Sequence, residues 1–171
     1  CDGRRVPLNT CNGDQSVVPF AAGPLDFDAA YVNLGTGAFV LRPTPEALRA
    51  APLLTSVIRA DEEHCDFVLE GSVNGAGAAL AWLEHHLGSA ADRLLALLDR
   101  AELADEAAPF FLNGVAGLAS RFWRPDFESR FVGEGSDLQH CRAVLESVAF
   151  LIKANLDEME RHRPGPVRLV A

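Results

Sequence analysis

The sequence lacks several patterns that would place it in a familiar class of protein. It has no run of about 18 apolar residues, so nothing in it predicts a membrane-spanning helix. Its four cysteines form no C-x-x-C pair, and no histidine stands at zinc spacing from them, so we expect reduced thiols in a cytoplasmic protein. No glycine loop ends in Gly-Lys-Ser/Thr, which argues against a P-loop.

The sequence also lacks an excess of basic residues. The 171 residues include 24 acidic and 15 basic side chains, which gives a net charge of −9. Nucleic acids and anionic membranes bind basic faces, so this balance argues against both partners. It does not exclude an anionic ligand, because helix N-termini and glycine turns bind phosphate without lysine. With 49% hydrophobic residues, we expect one globular domain or a large piece of a bigger one.

Hydrophobic periodicity and turn residues predict an α/β fold. The clearest element is the last helix, where a capping box at 136–139 precedes an apolar stripe, and Pro164 ends the helix. The acidic residues near its end are expected on a solvated face, and the strand after it is expected to lack its sheet partner. Strands are predicted over 5–10, 30–34, 38–42, 67–73, 110–112, 128–132 and 167–170, and helices over 75–86 and 90–101, with a short helix over 46–50 inside a proline-rich loop. The predicted stripe consists of Leu138, Cys141, Leu145, Val148, Ile152, Leu156 and Met159.

The segment NGDQS, residues 12–16, offers a carboxylate at the start of a helical segment. On spacing alone Asp14 is a plain N-cap, whose charge the helix dipole and free N–H groups stabilise. The alternative is a general base, which must stay ionised and reach a substrate hydroxyl. Gln15 beside it could hold a second hydroxyl, and the sequence leaves both interpretations open.

Two glycine-rich segments follow. The stretch YVNLGTGAFVL, residues 31–41, reads as a β-hairpin with Gly35-Thr36-Gly37 at its tip. The tip is either a simple turn or a phosphate contact made of unhindered N–H groups and one hydroxyl. The stretch LEGSVNGAGAALAWL, residues 69–83, brings small residues to the entrance of a helix. These residues either allow tight packing or form a flat surface on which an adenine ring could lie.

The order of these segments resembles the FGGY carbohydrate kinases. The ordered pieces are GDQ at 13–15, the GTG hairpin, the small-residue helix, FLNGVAGLASRFWRPD at 111–126 and LESVAF at 145–150. The resemblance covers nearly the whole chain and is strongest to the C-terminal lobe of the glycerol kinase branch. It implies an α/β fold that is part of an actin-like ATPase (ribonuclease H-like) lobe, a mixed sheet with flanking helices. Residues 1–171 would then be a partial C-terminal lobe, without the N-terminal lobe and the end of the C-terminal lobe.

The resemblance also implies roles for matched residues, with ATP and Mg²⁺ as cofactors and a sugar or small polyol as substrate. Asp14 falls on the family's catalytic aspartate, the base that takes a proton from the attacking hydroxyl, and would touch the metal only indirectly. The other expected contacts are Gln15 and Phe39 for the substrate and Gly35, Thr36, Gly77 and Ala81 for ATP. The chain alone is expected to be inactive as a kinase.

Some residues depart from the family pattern. Ala81 stands where glycerol kinases usually carry a glutamine, and Pro19 interrupts the helix that normally follows Gly-Asp-Gln. Arg121 and Arg124 replace a proline and an acidic residue around Trp123. These departures indicate a divergent member. They leave a second hypothesis open, a non-catalytic module of the same fold that binds a sugar or nucleotide. The sequence also leaves the oligomeric state open, with a homodimer as one alternative.

Overall fold

The computed structural model describes residues 13–21, 23–98 and 109–171, so the predicted strand at 5–10 lies outside the described residues. The predicted mixed sheet with flanking helices is confirmed. The first element is a 3₁₀ helix, Gln15–Phe20. The strands are β1 Ala29–Leu34, β2 Ala38–Thr44, β3 Leu54–Ala60, β4 Cys65–Val73, β5 Phe110–Leu112, β6 Arg130–Val132 and β7 Arg168–Val170, and the helices are α1 Gly77–Leu87, α2 Ala91–Leu98 and α3 Asp137–His162.

Five strands form the main sheet in the order β3-β4-β2-β1-β7, while β5 and β6 form a separate pair. All neighbours in the main sheet are antiparallel except β1 and β7, which are parallel. Strands β1, β4 and β7 therefore run in the same direction. Their carboxyl ends meet at one edge of the sheet, where the tip of the β1–β2 hairpin also lies.

The centre of the sheet is buried on both faces. On one face Val32, Val40 and Leu69 pack with Met159 of α3. On the other face the cluster of buried residues includes Tyr31, and the end of the 3₁₀ helix packs against it. Because alternate side chains of a strand point to opposite faces, burial on both faces explains the nearly continuous apolar runs of β1 and β2.

Helix α3 begins at the predicted capping box. The Ser136 hydroxyl accepts from the Gln139 N–H, and the Gln139 side chain accepts from the Ser136 N–H at 2.8 Å. Further along, the helix crosses β4 at Gly71, where an added Cβ would lie 2.5 Å from Asn155 Oδ1. A glycine is therefore required at this crossing for the helix to reach the sheet.

The proline-rich region differs from its prediction. No helix forms over 46–50, and Pro43 lies within β2 rather than in a loop. Strand β3 was not predicted at all. It is an edge strand in which Leu54 and Val57 are exposed, so it lacks the regular apolar alternation that identifies a half-buried strand.

The predictions for α3 and β7 also need correction. Leu145 is 38% exposed and not part of the buried stripe, whereas Glu158 is only 7% exposed. Glu158 is buried because it pairs with Arg161 at 2.7 Å and lies 3.9 Å from Arg121. Strand β7 does have a sheet partner, since it returns to pair with β1.

Other helix and strand boundaries differ from the predicted ones by a few residues. Helix α1 starts at Gly77 instead of 75, β6 starts at Arg130 instead of 128, and the predicted end of α2 lies outside the described residues. No helix in the described ranges is long and apolar enough to cross a membrane.

Candidate active site at the hairpin end of the sheet

The hairpin tip is docked onto the first turn of α1. The Gly35 carbonyl accepts from the Gly77 N–H at 2.9 Å, and the Thr36 carbonyl accepts from the N–H groups of Ala76 and Ala78 at 3.2 and 2.9 Å. Helix α1 has no side-chain cap, so these carbonyls take the place of one. The tip and the start of the helix therefore form one hydrogen-bonded unit.

Two of the glycines in this unit are required by packing. A Cβ on Gly37 would lie 2.8 Å from the Val73 carbonyl oxygen, and one on Gly77 would lie 2.7 Å from the Gly35 carbonyl oxygen. Either side chain would push the hairpin away from its neighbours.

Gly35 differs from both of them. A Cβ there would meet only the Gly37 carbonyl oxygen, at an ordinary 3.8 Å, and its φ is not left-handed. Folding therefore does not explain a glycine at this position. Gly35 and Thr36 are both exposed, and the Thr36 hydroxyl makes no hydrogen bond to any residue that the structure describes. The Gly35 N–H donates to the Gly37 carbonyl at 2.8 Å, so the tip offers the Thr36 hydroxyl beside a residue that has no side chain.

Asp14 is an N-cap, as its spacing predicts. Its Oδ1 accepts from the Gln15 N–H at 2.9 Å, and its side chain is exposed. The segment that contains Pro19 is a short 3₁₀ helix rather than a full α-helix, in keeping with the disturbance that the proline predicts. The cap uses one carboxylate oxygen of Asp14 and leaves the other without a protein partner among the described residues.

A hydrogen bond that the sequence did not predict joins this segment to the hairpin. Asn33 Nδ2 donates to Gln15 Oε1 at 2.6 Å. Asn33 precedes Gly35 by two residues, so the bond brings Asp14 and Gln15 to the end of β1 where the tip begins. The only signal for Asn33 in the sequence is a polar residue inside an otherwise apolar strand.

Phe39 lies on the same face of the sheet as Gln15. It is paired across the hairpin with Asn33 and on its other side with Ser72 of β4, and it is half-buried. Directly opposite residues on paired strands share a face. The structure therefore brings together Gln15 and Phe39, which the sequence predicted as substrate contacts. It adds Asn33, which was not predicted.

Glu70 adds a carboxyl group to this face. It lies on β4 two residues before Ser72, and burial raises its pKa above the ordinary value of 4.5. The described residues provide it with no ion-pair partner. Glu70 is thus a half-buried acid held near the candidate polar contacts.

The opposite face carries an apolar groove of about 380 Å³. Leu34, Gly35 and Gly77 line one side, and Val148 and Ile152 of α3 line the other. Leu34 follows Asn33 in the strand, so the groove and the polar cluster lie on opposite faces with the tip between them. Ala81 is exposed one turn beyond Gly77 and does not line this groove.

The departures around Trp123 have structural roles. The Arg121 guanidinium donates to the Ala154 carbonyl at 3.2 Å, which ties the loop to α3. Trp123 Nε1 donates to the Pro52 carbonyl at 2.7 Å, which ties it to the segment before β3. Arg124 pairs with Asp126 at 3.3 Å on the surface. These contacts anchor the loop without adding a group to the candidate site.

Replacement of Gly77 by alanine should destabilise the fold. The new Cβ would meet the Gly35 carbonyl oxygen, and we expect the free energy of unfolding to fall by about 1–3 kcal/mol. Urea unfolding would measure the loss. Gly35→Ala is the matched control and should change the stability by less than about 0.5 kcal/mol. An equal loss of stability in both variants would contradict the conclusion that packing requires a glycine at position 77 but not at position 35.

Glu70→Gln should change the pH dependence of stability. Because burial raises the pKa of Glu70, the folded chain holds this proton more tightly than the unfolded chain. Stability therefore decreases as pH rises from below the ordinary pKa through the raised one, and the variant should lack that decrease. Unfolding curves between pH 4 and about 7 would show it. The exposed Glu62, replaced by glutamine, serves as the control, and an unchanged profile for Glu70→Gln would refute the assignment.

Comparison with known sequences gives a family. The profile of the FGGY family of carbohydrate kinases, C-terminal domain, matches residues 30–171. A glycerol kinase of Geobacter sp. (strain M21) is 31% identical over 164 residues, which cover 93% of this chain and 33% of that protein. A glycerol kinase of Trichlorobacter lovleyi is 34% identical over 170 residues, 95% of this chain and 34% of that protein. The chain thus spans about a third of the length of these relatives.

Solved structures agree with this assignment at the level of the fold. Plasmodium falciparum glycerol kinase with ADP superposes with a TM-score of 0.77 at 22% identity, covering 96% of this chain and 33% of that one. Xylulose kinase from Rhodospirillum rubrum gives a TM-score of 0.73 at 19% identity, covering 91% of this chain and 32% of that one. On the profile match, the sequence relatives and the shared actin-like ATPase fold, the chain belongs to the FGGY family of carbohydrate kinases, of which it carries the C-terminal domain.

Proposed function

We propose that this chain supplies one wall of the cleft of a cytoplasmic, ATP-dependent kinase that phosphorylates a hydroxyl group of a sugar or small polyol. The observation that carries the proposal is the Gln15–Asn33 hydrogen bond, which brings the Asp14 segment to the hairpin tip. A carboxylate, a bare glycine backbone and a polar face then converge at one end of the sheet. Because the chain spans about a third of its relatives, the facing wall of the cleft would come from further sequence.

Asp14 is the proposed general base. Its backbone contact occupies Oδ1, so Oδ2 can accept a proton from a substrate hydroxyl. Gln15 and Phe39 would hold the substrate, with Asn33 fixing the orientation of the Gln15 amide. Phosphoryl transfer depends mainly on positioning and on neutralisation of charge, so a rigid base beside a phosphate contact is the main requirement on this chain.

The tip and the groove are the proposed nucleotide contacts. The Thr36 hydroxyl would donate to a phosphate oxygen, and Gly35, whose N–H already donates to the Gly37 carbonyl, would allow the phosphate to approach closely because it has no side chain. The apolar groove beside Gly77 would accept the flat adenine ring. Ala81 lies outside the lining of this groove, on the exposed side of α1, and its methyl side chain would offer the base no hydrogen bond.

The described residues contain no group of three side chains that could hold a metal ion, so Mg²⁺ at this end of the sheet would be held mainly by ATP oxygens and water. The ion is usually held by one or two carboxylates together with phosphate oxygens and water, and Asp14 is an exposed carboxylate there. When bound, ATP supplies the phosphoryl group and Mg²⁺ neutralises part of its charge. Asp14 would contact the ion only indirectly, and its principal role would be proton acceptance.

Asp14→Asn tests the catalytic role. An amide cannot accept the proton, so kcat should fall by about 10²–10⁴-fold while ADP binding persists. A coupled assay of ADP release over a panel of polyols and ketoses, with the longest natural chain that contains this sequence, would measure it. Asp126→Asn, on the surface beside Arg124, is the control. Retained turnover in Asp14→Asn would remove Asp14 from the mechanism.

The same assay discriminates between the two functional hypotheses. The absence of a polar group at Ala81 is the observation that favours a non-catalytic nucleotide- or sugar-binding module. If the unaltered protein binds ADP but releases none from ATP with any substrate of the panel, the binding module is the better description.

Gly35→Ala tests the phosphate contact. Since the new methyl group is tolerated by the fold, a loss of affinity would come from the ligand side. We expect ADP to bind about tenfold more weakly, which corresponds to ~1.4 kcal/mol. Adenosine serves as the ligand control in calorimetric titrations and should bind unchanged, because it has no phosphate. An equal loss for both ligands would argue against a phosphate role for the tip.

A further inference from the structure

A second groove lies at the far end of β1 from the hairpin tip. Its volume is about 590 Å³, and the segment entering β7 lines most of it. Arg42 from β2 and Asp28 from the turn before β1 complete the lining. We call it the arginine groove, because three of its four charged lining residues are arginines: Arg42, Arg163 and Arg168. None of the residues proposed for the kinase reaction lines it.

Arg42 is buried without a counter-charge. It is only 3% exposed, and its Nε has no hydrogen-bond partner among the residues that the structure describes. Its one hydrogen bond to the described part of the chain is a long contact of 3.4 Å from Nη2 to the Gly165 carbonyl oxygen. Within the described ranges no carboxylate lies within ion-pair distance of it. A buried guanidinium without a counter-charge lowers the stability of the folded state. A ligand that neutralises it would recover that free energy.

The neighbouring charges do not compensate for it. Burial lowers the pKa of Arg42, the positive charge of Arg163 lowers it further, and the charges of Glu160 and Asp28 partly offset both effects. Neither carboxylate is close enough to form an ion pair with Arg42.

Arg163 is oriented but only weakly neutralised. Its guanidinium donates to the carbonyls of Phe27 and Pro43, which fix its position but carry no net charge. The nearest carboxylate is that of Asp28, which is 91% exposed and 4.0 Å away. Arg168, in contrast, is paired with Asp26 at 2.8 Å. Of the guanidinium groups of Arg42 and Arg163, only that of Arg163 therefore has a carboxylate at the limit of ion-pair distance, and that carboxylate is solvated.

We propose that the arginine groove binds a phosphate group, either free phosphate or the phosphate of a small metabolite, between Arg42 and Arg163. The planar guanidinium matches the oxygen spacing of phosphate and gives strong charge-assisted hydrogen bonds. A dianion would accept from the guanidinium groups that line the groove and balance both cations. A monocarboxylate would leave one positive charge unbalanced. This inference does not rest on the proposed kinase function.

The test is thermal unfolding of the longest natural chain in sodium phosphate, compared with sodium chloride at equal ionic strength. A ligand that binds the folded state raises the Tm saturably. We expect the Tm to rise by a few degrees with phosphate and not at all with acetate. Saturating ADP should leave the rise with phosphate unchanged, because the proposed nucleotide contacts lie at the other end of the sheet. Arg42→Met should abolish the rise, while Arg124→Met, at a surface arginine paired with Asp126, should keep it.

Three results would overturn the proposal: no rise beyond that in chloride, an equal rise with acetate, or an equal rise in Arg42→Met. If Arg42→Met does not fold, Asp28→Asn provides an independent test. It removes the exposed negative charge at the groove, so half-saturation should need at least about twofold less phosphate. An unchanged or higher requirement would count against the site. A phosphate monoester titrated in parallel shows which source of phosphate binds more tightly, and tighter binding of either supports the site.

Discussion

The docking of the hairpin tip onto α1 is the interaction on which the candidate site depends. Backbone carbonyls of Gly35 and Thr36 cap a helix that has no side-chain cap, and Gly37 and Gly77 permit the close approach. The same contact fixes the end of β1, which carries Asn33 toward one face and Leu34 toward the other. The apolar groove and the polar cluster lie on opposite faces of the sheet with the tip between them. If the tip were not docked, the two sites would lose their fixed positions relative to each other.

The glycines of this region are thus of two kinds. Packing accounts for Gly37 and Gly77, because a side chain at either position would collide with backbone. Gly35 faces no such restriction, and a bare backbone at an exposed position is what a close phosphate contact requires. Family membership and the geometry of the tip support the same proposal by independent routes, one through ordered motifs and the other through contacts of individual atoms.

The two ends of the main sheet differ in their electrostatics. At the hairpin end the polar groups are side-chain amides, a hydroxyl and carboxyl groups, in keeping with a net charge of −9. At the other end the segment that enters β7 brings Arg163 beside the buried Arg42, where backbone carbonyls orient the guanidinium groups without neutralising them. The described part of a chain that is acidic overall therefore carries a local cationic groove, remote in the fold from the proposed catalytic residues.

Local features were determined by the sequence alone. The capping box of α3, the hairpin and the N-cap at Asp14 are each encoded within a few neighbouring residues, and the ordered motifs were sufficient to indicate the family. Only the tertiary structure decided the contacts between distant segments. Gln15 meets Asn33 across 18 positions, and Arg42 meets Gly165 across 123. Glu158 is buried because a loop arginine reaches α3, and β3 forms because β4 offers it an edge, although its own pattern is largely exposed. Periodicity records which face of an element is apolar, but it does not record which remote element will pack against that face, so these contacts could not be predicted from the sequence.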